Sequence, residues 1–226
     1  GWMLALLAMP WLVAATLSIF RWPWLAAPQG ERFTPYRCAL QTVYFSVLGL
    51  WWLFVLFLSG DSAPLPWLPL LNPLELAQLA VLALAVRWLW SEQSPAWLQR
   101  LRLFLLSAGG FLMVTFTTLR AVHHWGNVDW GSSMLSTSLA QTSLTLVWSV
   151  LGVLGWVIGS RRGNRGLWLA GAVLMGVVLV KLILVDRGNL GDAWGIGSFI
   201  AYGLLCTLVG YFAPAPPRNA TQENAA

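Results

Sequence analysis

Seven stretches of this sequence run about 17 to 22 residues each almost without charge: 3–20, 38–58, 74–90, 101–122, 139–159, 167–185 and 194–212. At about 1.5 Å per residue, such a stretch is long enough to cross a hydrocarbon core about 30 Å thick as an α-helix. Strands of a membrane barrel would instead alternate polar and apolar residues over about ten positions, and these runs do not alternate. Helix-breaking residues stand where each run ends: Pro23 and Pro28, the Pro64, Pro66 and Pro69 cluster, Ser94-Pro95, Gly126 to Gly131, Gly163 to Gly166, and Gly188 to Gly191. The expectation is an all-α, polytopic transmembrane helix bundle of about seven spans over residues 1–212. Residues 213–226, with Pro214, Pro216, Pro217 and then polar side chains, hold too little apolar surface to fold and read as a disordered cytoplasmic tail.

Composition excludes the soluble alternatives. Only 9% of the 226 residues are charged, against about 25% in ordinary soluble domains. A net charge of +5 would suggest nucleic acid only if the basic residues clustered on one soluble face, and here they stand singly or in pairs between apolar runs. No nucleic-acid partner is expected. The 16 Trp suit a chain with two membrane–water interfaces. Cys38 and Cys206, in separate apolar runs, form neither a metal-ligand spacing nor a disulfide framework, so no metal and no cofactor are expected.

Lys and Arg set the orientation. Seven spans place Arg21, Arg32, Arg37, Arg87, Arg100, Arg102, Arg161, Arg162, Arg165 and Arg218 on one face, and Arg120, Lys181 and Arg187 on the other. The ten-residue face is the cytoplasmic one, which puts the N-terminus outside. With Glu31, Glu92 and Glu223 it carries ten basic and three acidic residues, net +7. The outer face holds three basic and five acidic residues (Asp61, Glu75, Asp129, Asp186 and Asp192), net −2.

Ionisable groups in or beside a span are costly, so each needs a reason. The cytoplasmic arginines sit at span ends and read as anchors for lipid phosphates. The outer polar groups are less easily dismissed. Asn72-Pro73-Leu74-Glu75 reads as a helix start, with Asn at the N-cap, Pro at N1 and Glu at N3 reaching back to the cap. Gln78 lies one turn further on the same face. Arg120, His123 and His124 close the fourth run; adjacent His side chains diverge by about 100° on a helix, and no third ligand has metal-site spacing. Lys181 lies inside the outer end of the sixth run and either snorkels outward or pairs with a carboxylate, Asp186 and Glu75 being the candidates. A small and polar stripe (Ser133, Ser136, Thr137, Ala140, Gln141, Thr145, Gly152, Gly155, Gly159) reads mainly as helix packing, with Gln141 the exception. Asn72, Glu75, Gln78, Arg120, His123, His124, Gln141, Lys181 and Asp186 thus all fall in the outer half of four consecutive spans. If those spans pack together, they form an outward-facing polar pocket with Trp125, Trp130 and Trp194 at its rim, suited to an anionic headgroup, a sugar phosphate or a polymer end.

At these residues the chain resembles the bacterial multi-pass membrane family known as domain of unknown function 2339. The likeness rests on Leu71-Asn72-Pro73-Leu74, Arg120 with His123-His124-Trp125, Gln141-Thr142-Ser143-Leu144 with Trp148, and Gly159-Ser160-Arg161-Arg162. It continues through Leu167-Trp168-Leu169-Ala170-Gly171, Lys181-Leu182 with Asp186, Ser198-Phe199, and Gly210-Tyr211-Phe212-Ala213-Pro214. Coverage is good over 70–217 and weak before it. Members of that family are typically much longer, which together with the initial Gly1 implies a C-terminal portion of a longer protein, with further spans as neighbours. The resemblance implies a bacterial inner membrane and transfers no activity.

There is no GxSxG elbow, phosphate-binding loop or HExxH, and no assigned nucleophile, so the catalytic residues stay unknown. The leading expectation is an inner-membrane protein whose outer pocket binds or modifies a cell-envelope lipid or glycan precursor. A transporter component would carry polar residues through to the cytoplasmic side. A scaffold would pack other envelope membrane proteins through Gly and Trp faces.

Overall fold

In a computed structural model, residues 1–27, 30–184 and 193–212 are described. Among them there are helices and no strands. The expected tail at 213–226 and the connection at 188–191 lie outside the described residues. The chain forms two compact units, Gly1–Trp125 and Gly126–Ala226. Among the described residues, five helical stretches are long and apolar enough to cross a membrane: Trp2–Phe20, Arg32–Leu56, Ala96–Gly126, Ser138–Arg161 and Arg165–Leu184.

The first unit contains α1 (Trp2–Phe20), α2 (Trp22–Ala26), a 3-10 turn (Gly30–Tyr36), α3 (Arg37–Leu56), α4 (Pro73–Leu89) and α5 (Ala96–Gly126). Small residues at helical spacing let α1 approach its neighbours, with Ala5, Ala8, Leu12, Ala15 and Ser18 buried. The rest of α1 is equally apolar yet exposed, as at Met3, Leu6 and Val13, which is how a helix looks when its solvent is hydrocarbon. Between α1, α3, α4 and α5 lies the core of Leu48, Trp52, Leu56, Val81, Met113 and a Phe45–Trp88 stack whose centroids are 4.4 Å apart.

Arg37 supplies what the end of α1 lacks. Helix ends leave carbonyls without intrahelical partners, and a hydrocarbon solvent offers none. Arg37 Nη2 donates to the carbonyls of Ser18 and Ile19, at 3.1 and 3.2 Å, and Gln41 Nε2 donates to that of Ser18 at 2.9 Å. The guanidinium also lies 5.3 Å from the centroid of Trp22, which stacks on Phe33. The connection marked by Pro23 and Pro28 is therefore partly helical and fastened to α3.

In the second unit a 3-10 turn (Ser132–Ser136) leads into α6 (Ser138–Arg161), α7 (Arg165–Leu184) and α8 (Ala193–Phe212). Thr137 caps α6 by accepting from Ala140 N at 3.4 Å. Gly163 takes φ +61° in the turn, and Asn164 Oδ1 accepts from Leu167 N at 3.1 Å to start α7. The expected glycine stripe does pack helices. A Cβ on Gly159 would strike the backbone of Trp168, one on Gly171 the backbone of Trp156 and Gly152, and one on Gly152 would come within 2.9 Å of Met175. Tyr202 on α8 donates its hydroxyl to Met175 O at 2.8 Å.

Candidate functional site

The start of α4 forms as its sequence requires. Asn72 Oδ1 accepts from Glu75 N at 3.0 Å, and Pro73 occupies the first helical position, where its missing N–H costs nothing. The carboxylate departs from the expected capping box. Instead of returning to the cap residue, Glu75 Oε2 accepts from Leu70 N at 2.6 Å, and Oε1 faces Arg120. Leu70, at φ +65°, aims its N–H inward.

Arg120, six residues before the C-terminal end of α5, is 1% exposed, while Glu75 and Gln78 are fully buried. Its Nη1 donates to Glu75 Oε1 at 3.2 Å and Gln78 Oε1 at 3.0 Å. Nη2 donates to the carbonyls of Val55 at 2.6 Å and Leu56 at 3.5 Å, and Nε to that of Leu58 at 3.0 Å. All five guanidinium N–H groups thus have acceptors. One cation ties three elements together: it satisfies the carbonyls at the C-terminal end of α3, neutralises the carboxylate at the N-terminal end of α4, and is carried by α5. Both helix ends favour the sign they receive. Gly60, at φ +71°, fits against the guanidinium, since a Cβ there would lie 3.2 Å from Arg120 Cδ and Nε.

One turn beyond, His124 Nε2 lies 3.0 Å from Ser59 O. Its ring stacks on Trp67, with centroids 4.8 Å apart and planes at 18°; Trp125 meets Trp67 edge-on at 5.6 Å, and His123 lies 4.6 Å from His124. Trp67, carried by the α3–α4 loop, is buried, whereas Trp125 is 64% exposed. Asn72 Nδ2, Gln78 Nε2 and Trp67 Nε1 are buried donors without a hydrogen-bond partner among the described residues. Nothing in the sequence marks Trp67, Gly60 or the carbonyls of α3, because an aromatic, a glycine and a backbone oxygen carry no charge signal.

Six of the nine expected residues, Asn72, Glu75, Gln78, Arg120, His123 and His124, therefore gather in the first unit. In the second unit, Lys181 Nζ donates to Gln141 O at 3.1 Å and Thr145 Oγ1 at 2.7 Å, and Gln141 Nε2 donates to Leu135 O. Lys181 and Gln141 thus meet, through the backbone of one and the neighbouring hydroxyl. Asp186 and the Trp194 side chain lie outside what the structure describes. Trp130 is half-buried. No group of three or more His, Cys, Asp or Glu with metal-site geometry occurs among the described residues.

Apolar helices with a buried ion pair at their ends describe a membrane protein, and comparison gives the family. Residues 2–216 match the family described as predicted membrane protein (DUF2339). The chain belongs to that family. The match takes in the first three helices, where individual motifs resemble DUF2339 least, as well as the later motif-rich stretch. No curated protein and no solved structure matches the chain.

Proposed function

We propose that this DUF2339 chain is a seven-span bacterial inner-membrane protein, N-terminus outside and C-terminus inside, whose outer face binds a cell-envelope lipid or glycan precursor. Arg120, Glu75 and Gln78 frame the binding surface and do not touch the ligand, because the guanidinium has no donor left to offer. The ligand-facing groups are His123, His124 and the exposed Trp125, with Trp67 as the floor beneath them. The observation that carries this reading is the aromatic–imidazole surface, fixed to the saturated ion pair one helical turn away. A stacked ring surface at the interface suits the apolar face of a sugar or the region around a phosphate.

The test is mass spectrometry of lipid and glycan species retained by the purified protein. His124→Ala and Trp125→Ala should each lower the retained species with membrane abundance unchanged. If retention is unaltered in both, while Arg120→Ala lowers only abundance, the outer-face ligand is refuted. The scaffold reading, which the saturation of Arg120 favours, would then stand. A reporter fused after Phe212 should read out as cytoplasmic, and an external readout would overturn the orientation.

A further inference from the structure

A groove of about 580 Å³ opens between α3, α4 and the first half of α5, and its lining includes Thr42, Gly49, Trp88, Trp97, Leu98 and Leu112. Ligand cavities commonly span about 300–1,000 Å³. The groove is apolar along its length and ends where α4 finishes and α5 begins. Polar and charged residues stand on the same turn and helix ends, beside the groove's apolar lining. Gln99 Nε2 donates to the carbonyls of Ser91 and Ser94, at 3.2 and 3.0 Å, and so ties the α4–α5 turn to the first turns of α5. Arg102 lies 4.9 Å from the centroid of Trp90, and Trp97 is 62% exposed. Arg87 and Arg100 are exposed at the same end, with Glu92 as the acidic residue of the turn. In the groove wall, Trp88 is 5% exposed, its indole packed against Phe45.

We propose that this groove is a binding site for one anionic glycerophospholipid of the inner leaflet. The phosphate sits at Arg102, beside the Trp90 ring, and Arg87 and Arg100 add positive charge at the same end of the helices. One acyl chain runs down the groove past Trp88 and Gly49. Charge decides the lipid class, since three arginines against one glutamate face a leaflet whose anionic lipids attract basic residues near its surface. The placement in the inner leaflet rests on the orientation proposed above and not on the outer-face ligand.

The purified protein in mixed micelles is titrated with phosphatidylglycerol and, separately, with phosphatidylcholine, and bound lipid is counted by native mass spectrometry. Phosphatidylglycerol should bind preferentially. The double variant Arg100→Gln, Arg102→Gln should weaken it by about thirtyfold, at about 1 kcal/mol per basic residue and 1.4 kcal/mol per tenfold. Gly49→Leu is the control that keeps the charges. A Cβ at Gly49 meets nothing within 4 Å, so a larger side chain there starts in open space on the groove wall and should abolish retention while the protein stays folded. Equal affinity for both lipids, or undiminished phosphatidylglycerol binding in Gly49→Leu, overturns the site. So does cross-linking through Trp97→Cys that captures a second copy across the groove. Binding in micelles is independent of orientation, so this result and that of the fused reporter fail separately.

Discussion

Removing the Arg120 guanidinium is expected to be among the most costly single changes in the first unit. Arg120→Met keeps much of the aliphatic stem but withdraws five donated hydrogen bonds at once, from Glu75, Gln78, Val55, Leu56 and Leu58. Polar interactions in membrane helices average about 0.6 kcal/mol each by double-mutant cycles, so five give about 3 kcal/mol. Breaking a buried ion pair from one side costs about 3–5 kcal/mol, because the other charge stays buried without compensation. The two routes converge on a loss of about 3–5 kcal/mol. Glu75→Gln strands a cation instead and should cost slightly less, since Arg120 keeps its three carbonyls. The double variant should cost far less than the sum, with a coupling energy of about 2 kcal/mol or more between directly paired groups. Reversible unfolding of the purified protein in mixed detergent micelles, followed by helical circular dichroism, measures all three. Additive losses would refute the pairing, and a loss below about 1 kcal/mol for Arg120→Met would refute the assignment of Arg120 as the tie between α3, α4 and α5.

Two further substitutions probe the glycines that the packing requires. Gly60→Ala places a side chain at φ +71° and 3.2 Å from Arg120; the expected loss is about 1–3 kcal/mol in the same unfolding measurement, partly relieved in an Arg120→Met background. Gly159→Ala drives a methyl into the backbone of Trp168, and overpacking of about 1–3 kcal/mol should outweigh the gain in helix propensity of about 1 kcal/mol. A cysteine pair across α6 and α7 near that position should therefore cross-link less efficiently than in the unsubstituted hairpin.

Local signals survived translation into structure best. Asn72-Pro73-x-Glu75 started α4 where the sequence placed it, because capping depends on residues three or four positions apart. The apolar runs located the long helices, since backbone self-satisfaction in hydrocarbon leaves a helix little choice. The beginning of α5 departs from the apolar run for a related reason. Hydropathy ends near Arg100, but the helix starts at Ala96 and runs 31 residues, because hydropathy reports the solvent around a helix and not its hydrogen bonding. The partners of Arg120 were the least legible. Charge singled out Arg120 and Glu75 separately, yet the acceptors that use up its donors are backbone oxygens 62 to 65 positions away. Backbone oxygens are present at every residue and so carry no sequence signature.

The two arginine caps also differ in when they can form. The end of α1 finds its donor 18 and 19 residues later, at Arg37, so the first two long helices can be fastened as soon as the second is made. The end of α3 must wait for Arg120, after all of α4 and most of α5 have been synthesised. During biogenesis the corner around Arg120 is thus the last of the two to close, and a nascent chain halted before Arg120 carries unmet carbonyls and an unneutralised Glu75. Insertion and quality-control factors would meet that corner in its open form, and a single late residue seals it.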